Sequence, residues 1–179
     1  MASARLDASV ARLAGQFDEI TRLVRFEPAL LSLRVERVSK WSIGLQVDHI
    51  LKVLEFGQKV LDESATALPR GMNLTGRIVL ALGWFPRGVA QSPKRVLPAE
   101  TTPADLAGRT AQLRKAFCET PLSAARFADP KPVFPHPVFG GLTALQGIHF
   151  LGLHTHHHLR IVADIRRASD SATPAARPE

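Results

Sequence analysis

The chain has 179 residues, 45% of them apolar and 6% aromatic, with a formal net charge of +7. That length and composition suit one globular domain with a real core, and no window has the uninterrupted apolar length of a membrane span. The basic balance does not single out a nucleic-acid binder: the cations are scattered, with short clusters only at Lys94-Arg95 and Arg166-Arg167, and no tyrosine is present to stack on bases.

The opening stretch, MASARLDASVARLAGQF, is amphipathic and interrupted by Arg5, Asp7 and Arg12, so it reads neither as a signal peptide nor as an anchor. Leu6, Val10, Leu13, Phe17, Ile20 and Val24 step by 4, 3, 4, 3, 4, which predicts a first helix with one core-facing stripe. It ends at Glu27-Pro28, because the residue before proline resists helical geometry. A second helix is expected from Ser42, an N-cap candidate, to about Asp62. Its stripe takes in Leu45, Val53, Phe56 and Val60, and His49 falls on the same line. A histidine stands there where the pattern asks for an aliphatic residue.

Regularity weakens over residues 64–104, where glycine and proline recur and leave room for one short helix around Thr75–Trp84. The segment FPRGVAQSPKRVLPAE reads as an extended loop, long enough to be functional or mobile. A third long helix begins after Thr102-Pro103, with threonine at the cap and proline at the first position. Leu106, Leu113 and Phe117 mark its buried side, and Pro121 closes it. Cys118 lies in this region and is the chain's single cysteine, so there is no disulfide framework, which fits a reducing cytoplasm. It reads as a small packing residue rather than a nucleophile.

A second irregular stretch, DPKPVFPHPVFGG, leads into a last helix from about Leu142 to Ala168. Ile148, Leu151, His154, His158, Ile161 and Ile165 step by 3, 3, 4, 3, 4, so two histidines sit on the core stripe. The tail SDSATPAARPE is small, polar and proline-containing, which predicts disorder over 169–179 after a single domain spanning 1–168. No strand alternation of useful length and no internal repeat stands out. The expected fold is all-α: a four-helix bundle with long connections at 64–104 and 121–141 and a short extra helix.

The run His154-Thr155-His156-His157-His158 carries the chemistry. His154 and His158 are one helical turn apart on one face, the spacing at which a helix offers two nitrogens to one metal ion. His49, on the stripe of another helix, is the third candidate ligand. A lone histidine on an apolar face is more often held by a backbone carbonyl. Two neighbouring imidazoles on a core stripe are harder to bury without a partner, which favours a metal. Three imidazoles with a fourth position open describe a catalytic rather than a structural zinc site.

The remaining histidines divide. His156 points away from the ligand face and reads as surface, His149 lies off the stripe, and His157 is one step off the line. His136, in the proline-stiffened segment FPHPVFG, is either a cavity residue or part of a rigid connector. His136 and His157 are the candidate contributors to catalysis beyond the ligands. Thr155 stands where a zinc protease motif would need glutamate. Asp48 is turned about 100° from His49 around its helix, so it is not assigned as a base. Glu55 and Asp164 are expected on solvated faces.

Trp41-Ser42 followed by His49, HPVFGGL at 136–142, and His154-x-x-His157-His158-Leu159-Arg160 together resemble the DinB/YfiT-like superfamily. The match is nearest to a branch of unknown function with an HPxFG loop before the final helix, and it covers about residues 5 to 168. The resemblance implies a DinB-type four-helix bundle, often dimeric, holding a divalent metal through His49, His154 and His158. It also implies relatives that are thiol-dependent transferases and isomerases using low-molecular-weight thiols. It does not imply DNA binding. One departure is Ile161, where relatives tend to show glutamine.

The function expected is therefore a cytoplasmic metal-dependent enzyme acting on a small molecule, a thiol S-transferase or a related transferase or hydrolase, with a low-molecular-weight thiol as co-substrate and a homodimeric assembly. Zinc or nickel suits the ligand set first, with iron or copper also accommodated. The alternative is a non-catalytic bundle that binds a ligand or serves as a dimeric scaffold. No specific nucleic acid and no membrane is expected as a partner.

Overall fold

A computed structural model of the chain describes residues 2–62, 66–83, 85 and 92–171. The described residues form six α-helices and one hairpin: α1 (Ala2–Phe26), α2 (Ile43–Asp62), α3 (Leu74–Leu82), α4 (Pro103–Arg114), α5 (Ala124–Ala128), β1 (Pro132–His136), β2 (Gly140–Thr143) and α6 (Ala144–Asp170). Single tighter turns at Pro28–Ser32 and Lys94–Val96 interrupt the connections, and α4 runs on into a wider π-type turn over Lys115–Glu119. This is the helical fold that the stripes predict, with a small two-stranded sheet added.

The long helices α1, α2, α4 and α6 make the bundle. α1 and α2 each pack against both α4 and α6, so the four close into a ring. The α1 stripe turns inward as its spacing requires, with Leu13, Phe17, Ile20 and Val24 buried. On α2 the stripe is displaced. Ile43, Val47, Ile50, Leu51 and Leu54 fill the core, while Leu45, Phe56 and Val60 are only partly buried. The line through His49, Val53 and Phe56 is thus a second apolar face, and it borders a cavity rather than the bundle centre.

Caps set the helix starts. The Ser42 hydroxyl accepts from Leu45 N–H at 3.2 Å, and the Thr102 hydroxyl accepts from Asp105 N–H at 3.1 Å. α6 opens on a full capping box between Thr143 and Gln146. Asn73 caps α3, which covers Leu74–Leu82 rather than reaching Trp84, and Trp84 itself lies outside the described residues. Residues 86–91 of the expected loop and 172–179 of the expected tail also lie outside them, while α6 continues through residues 169 and 170.

The segment expected to be irregular is partly ordered as a hairpin. β1 and β2 pair antiparallel, with Phe134 opposite Leu142 and His136 opposite Gly140. Prolines 132 and 135 hide this in the sequence, since proline supplies no ladder donor and belongs on edges. Gly140 sits at φ +81°, a left-handed conformation that L side chains rarely adopt, and a Cβ there would come within 2.8 Å of the Gly71 carbonyl. The chain before α3 lies along the hairpin through Leu68 N–H to Pro132 O at 2.8 Å and Asn73 N–H to Phe139 O at 2.9 Å. No helix among the described residues is long and apolar enough to cross a membrane.

Candidate metal centre

His49 lies in the first half of α2, and His154 and His158 lie one turn apart on α6. Because α2 and α6 pack side by side, the three rings meet. Their centroids are 4.6 Å apart for His49 and His158, 5.1 Å for His49 and His154, and 4.5 Å for His154 and His158. One nitrogen from each ring lies within 4.8 Å of the other two. Among the described residues this is the group of three or more His, Cys, Asp or Glu side chains arranged so that a metal ion could be held.

The hydrogen bonds around the rings define two tautomers. His49 Nδ1 lies 2.7 Å from the Val96 carbonyl oxygen, and His158 Nδ1 lies 2.6 Å from Gln46 Oε1. Both oxygens can only accept, so each Nδ1 carries the proton and each Nε2 keeps its lone pair. A ligating histidine is held in the same way, with its outer nitrogen donating to a carbonyl. The bland reading of His49, a core ring satisfied by a backbone carbonyl, therefore describes one of its nitrogens and leaves the other for a metal. Gln46 is fixed in turn, donating to Ser39 Oγ at 2.9 Å.

His154 differs, since its Nδ1 is buried with no hydrogen-bond partner. A buried polar nitrogen left alone is costly, and an ion is the kind of group that gives such a ring a partner. Burial first, and repulsion among the neighbouring rings second, push His154 and His158 well below the ordinary imidazole pKa. Burial also lowers His49, against the opposing pull of its Val96 bond and of Asp48. Three neutral imidazoles are the state in which histidine ligates. These residues fit a divalent ion.

The rings open on a cavity of about 510 Å³, within the range of small-molecule pockets. Its wall is mainly apolar and aromatic. Trp41 approaches His49 at 5.1 Å between centroids and His158 at 6.3 Å, while Phe150 reaches His154 at 5.6 Å. The hairpin supplies the opposite lip, where His136 stacks on Phe139 at 4.0 Å. His136 Nδ1 accepts from the backbone N–H groups of Val138 and Phe139 at 3.2 and 3.1 Å, so it is both a cavity residue and a stiffener of its own loop. Burial lowers its pKa to about 4.

The other expected residues separate clearly. His157 is partly buried and lines the cavity, with its ring 5.9 Å from Phe85. His156 is exposed, as its position on α6 predicts. His149 is partly buried, bonds the Leu80 backbone and is not among the cavity-lining residues. Cys118 is half-buried, and burial raises its thiol pKa, which suits a packing residue and not a nucleophile. Ile161 lines the cavity with the three histidines.

Asp48 is buried yet turned from the rings. It binds Arg109 at 2.6 Å, Lys52 at 2.9 Å and Ala99 N–H at 2.8 Å. Burial alone would raise its pKa, but these bonds outweigh it and hold the carboxyl below its ordinary value. The Glu55 side chain remains 41% exposed while it pairs with Arg109 at 2.6 Å. Asp164 is partly buried and pairs with Arg167 at 2.9 Å. Sequence reasoning missed Gln46, Val96 and Arg109. The available signal was weak: a glutamine three residues before a histidine, on the same side of α2.

A family model described as the DinB superfamily matches residues 5–162. A protein described as uncharacterized protein YuaE, from Bacillus subtilis (strain 168), is 30% identical over an alignment of 141 residues that covers 74% of this chain and 82% of that protein. No solved structure matches the chain.

Proposed function

Because the chain belongs to the DinB superfamily, whose members generally bind a divalent metal, we propose that His49, His154 and His158 hold such an ion and that the adjoining cavity takes a small-molecule substrate. Zinc or nickel suits three imidazoles first, and iron or copper is also accommodated. The observation that carries this reading is the approach of one nitrogen from each ring to within 4.8 Å of the others, with two tautomers already set for ligation.

The reaction class we favour is thiol S-transfer, a low-molecular-weight thiol being one substrate and an apolar electrophile the other. A bound divalent ion supplies Lewis acidity and lowers the pKa of a group at its open position. The chain's own residues do the rest. Val96 O and Gln46 Oε1 keep His49 and His158 oriented. Trp41, Phe139 and Phe150 exclude water and offer flat apolar faces to the electrophile.

A second reading, a non-catalytic binding module, is favoured by one specific observation: no described residue lining the cavity is an Asp or Glu that could serve as a general base. The two readings part on turnover. Metal analysis of untagged protein tests what they share: about one ion per chain in the wild type and near none in His154→Ala and His158→Ala. Equal content in all three would sink the metal site. Steady consumption of a thiol with a chloronitrobenzene electrophile would then favour the transferase, and tight binding without turnover the module. We also propose a homodimer, on the exposed apolar line Leu74, Ile78 and Leu82 along α3. Sedimentation at the mass of a single chain, 19.5 kDa, would remove it.

A further inference from the structure

The cavity wall has an unbalanced polar chemistry. Among its described residues the one formally charged side chain is Arg95, and none is a carboxylate. Arg95 is exposed at the mouth, with its guanidinium 4.0 Å over the Phe56 ring and in no ion pair with a described residue. It directly precedes Val96, whose carbonyl holds His49, and both residues line the cavity on which the three histidine rings open. The nearest carboxylates on α2 are turned elsewhere, Asp48 and Glu55 both gripping Arg109.

Two neutral polar groups of the wall point the same way. Ser39 Oγ accepts from Trp41 N–H at 3.0 Å and from the Gln46 amide at 2.9 Å, which leaves its O–H proton to donate. His136 Nδ1 accepts two backbone N–H groups, so its remaining nitrogen, Nε2, carries the proton and can only donate. Gln46 Oε1, the evident acceptor, is already engaged by His158. Thr75, Ser92 and His157 add further neutral polar groups, but among the described lining residues Arg95 is the one formal charge and no carboxylate balances it.

We infer that the ligand of this cavity is an organic anion, an apolar or aromatic body bearing a carboxylate or similar group, with Arg95 receiving the charge at the mouth. The inference deepens the proposed function and rests on its reading of the cavity as a small-molecule site; a bound ion on three imidazoles would add positive charge that the wall does not offset. Arg95 selects the anion by a charge-assisted bond, and the rings hold the body.

The test compares 4-phenylbutyrate with its neutral isostere 4-phenylbutyramide by isothermal titration, in zinc-loaded and metal-depleted protein. The wild type should bind the carboxylate about tenfold more tightly than the amide in both states. Arg95→Gln should erase that preference in the metal-depleted protein, and Arg95→Lys should keep most of it. Equal affinity for the two probes in the depleted wild type, binding of neither, or a preference untouched by Arg95→Gln would each overturn the inference. Metal analysis of the same samples reads the histidine site separately. A wild type without metal that still prefers the carboxylate removes the metal reading and leaves the anion site standing.

Discussion

Two polar clusters stand back to back on α2, one residue apart, and they are built on opposite rules. Asp48 heads an ion network in which each charge is answered: Arg109 spans Asp48 and Glu55, and Lys52 adds to Asp48. His49 heads a cluster with no charge partner, its rings held neutral by burial and oriented by carbonyl oxygens. Turning 100° around a helix moves the chain from a saturated network to an open one. The first kind of cluster fixes the position of a helix. The second keeps bonding capacity for something that arrives from outside.

That contrast can be broken most forcefully on the network side. Arg109→Ala leaves Asp48 buried with only Lys52 and Ala99 N–H, so denaturant unfolding should show a loss on the order of 3 kcal/mol. Metal content per folded chain should not move. If metal content falls in step with stability, the two clusters are one unit and the contrast fails.

A smaller effect is expected from Gln46→Leu. The buried His158 Nδ1–H loses its acceptor, so the metal-free protein should lose about 1–2 kcal/mol in denaturant unfolding and metal affinity should drop about tenfold. An unchanged affinity in a competition titration would mean that Gln46 does not orient the ring.

The smallest effect separates the clusters by pH in the metal-depleted protein. Unfolded, His136 gains a proton as the pH falls through its ordinary value of 6.5, whereas in the fold it does so only near 4. The unfolded state therefore binds more protons in that window, so the stability contributed is full above 6.5 and is lost as the pH drops toward 4. Asp48 works in a lower window, because its folded pKa lies below 3.8: its contribution is present above 3.8 and disappears as the pH falls through the folded value. His136→Phe should make the upper slope of stability against pH shallower, with the remaining buried histidines keeping part of it, and leave the lower slope unchanged. A single unbroken slope in both proteins would show that the cavity ring does not titrate apart from the network.

The histidine cluster was legible in outline, because helical periodicity alone places His154 and His158 on a buried line and His49 on an apolar one. What those lines cannot carry is their distance from the core. The His49 stripe turned out to border a cavity, since the true core face of α2 is the neighbouring line through Val47, Ile50 and Leu54. The partners Val96 and Gln46 were not legible for a related reason. A carbonyl forty-seven positions from its histidine leaves no mark on local spacing, and a glutamine on α2 could as well face solvent. The hairpin was hidden by its own prolines, and α5, at five residues, is too short to show a period.

Thr143 is at once the last residue of β2 and the cap of α6. Between the lip that carries His136 and the helix that carries His154 and His158 there is no linker at all. Lip and floor therefore behave as one lever, and a guest entering the cavity cannot pry them apart cheaply. The short turn at Lys94–Val96 is tied to α2 instead, through the Val96 carbonyl on His49 and the Leu97 carbonyl on Lys52. The charge of Arg95 is thus carried on a turn anchored to the helix of His49, apart from the lever of lip and floor.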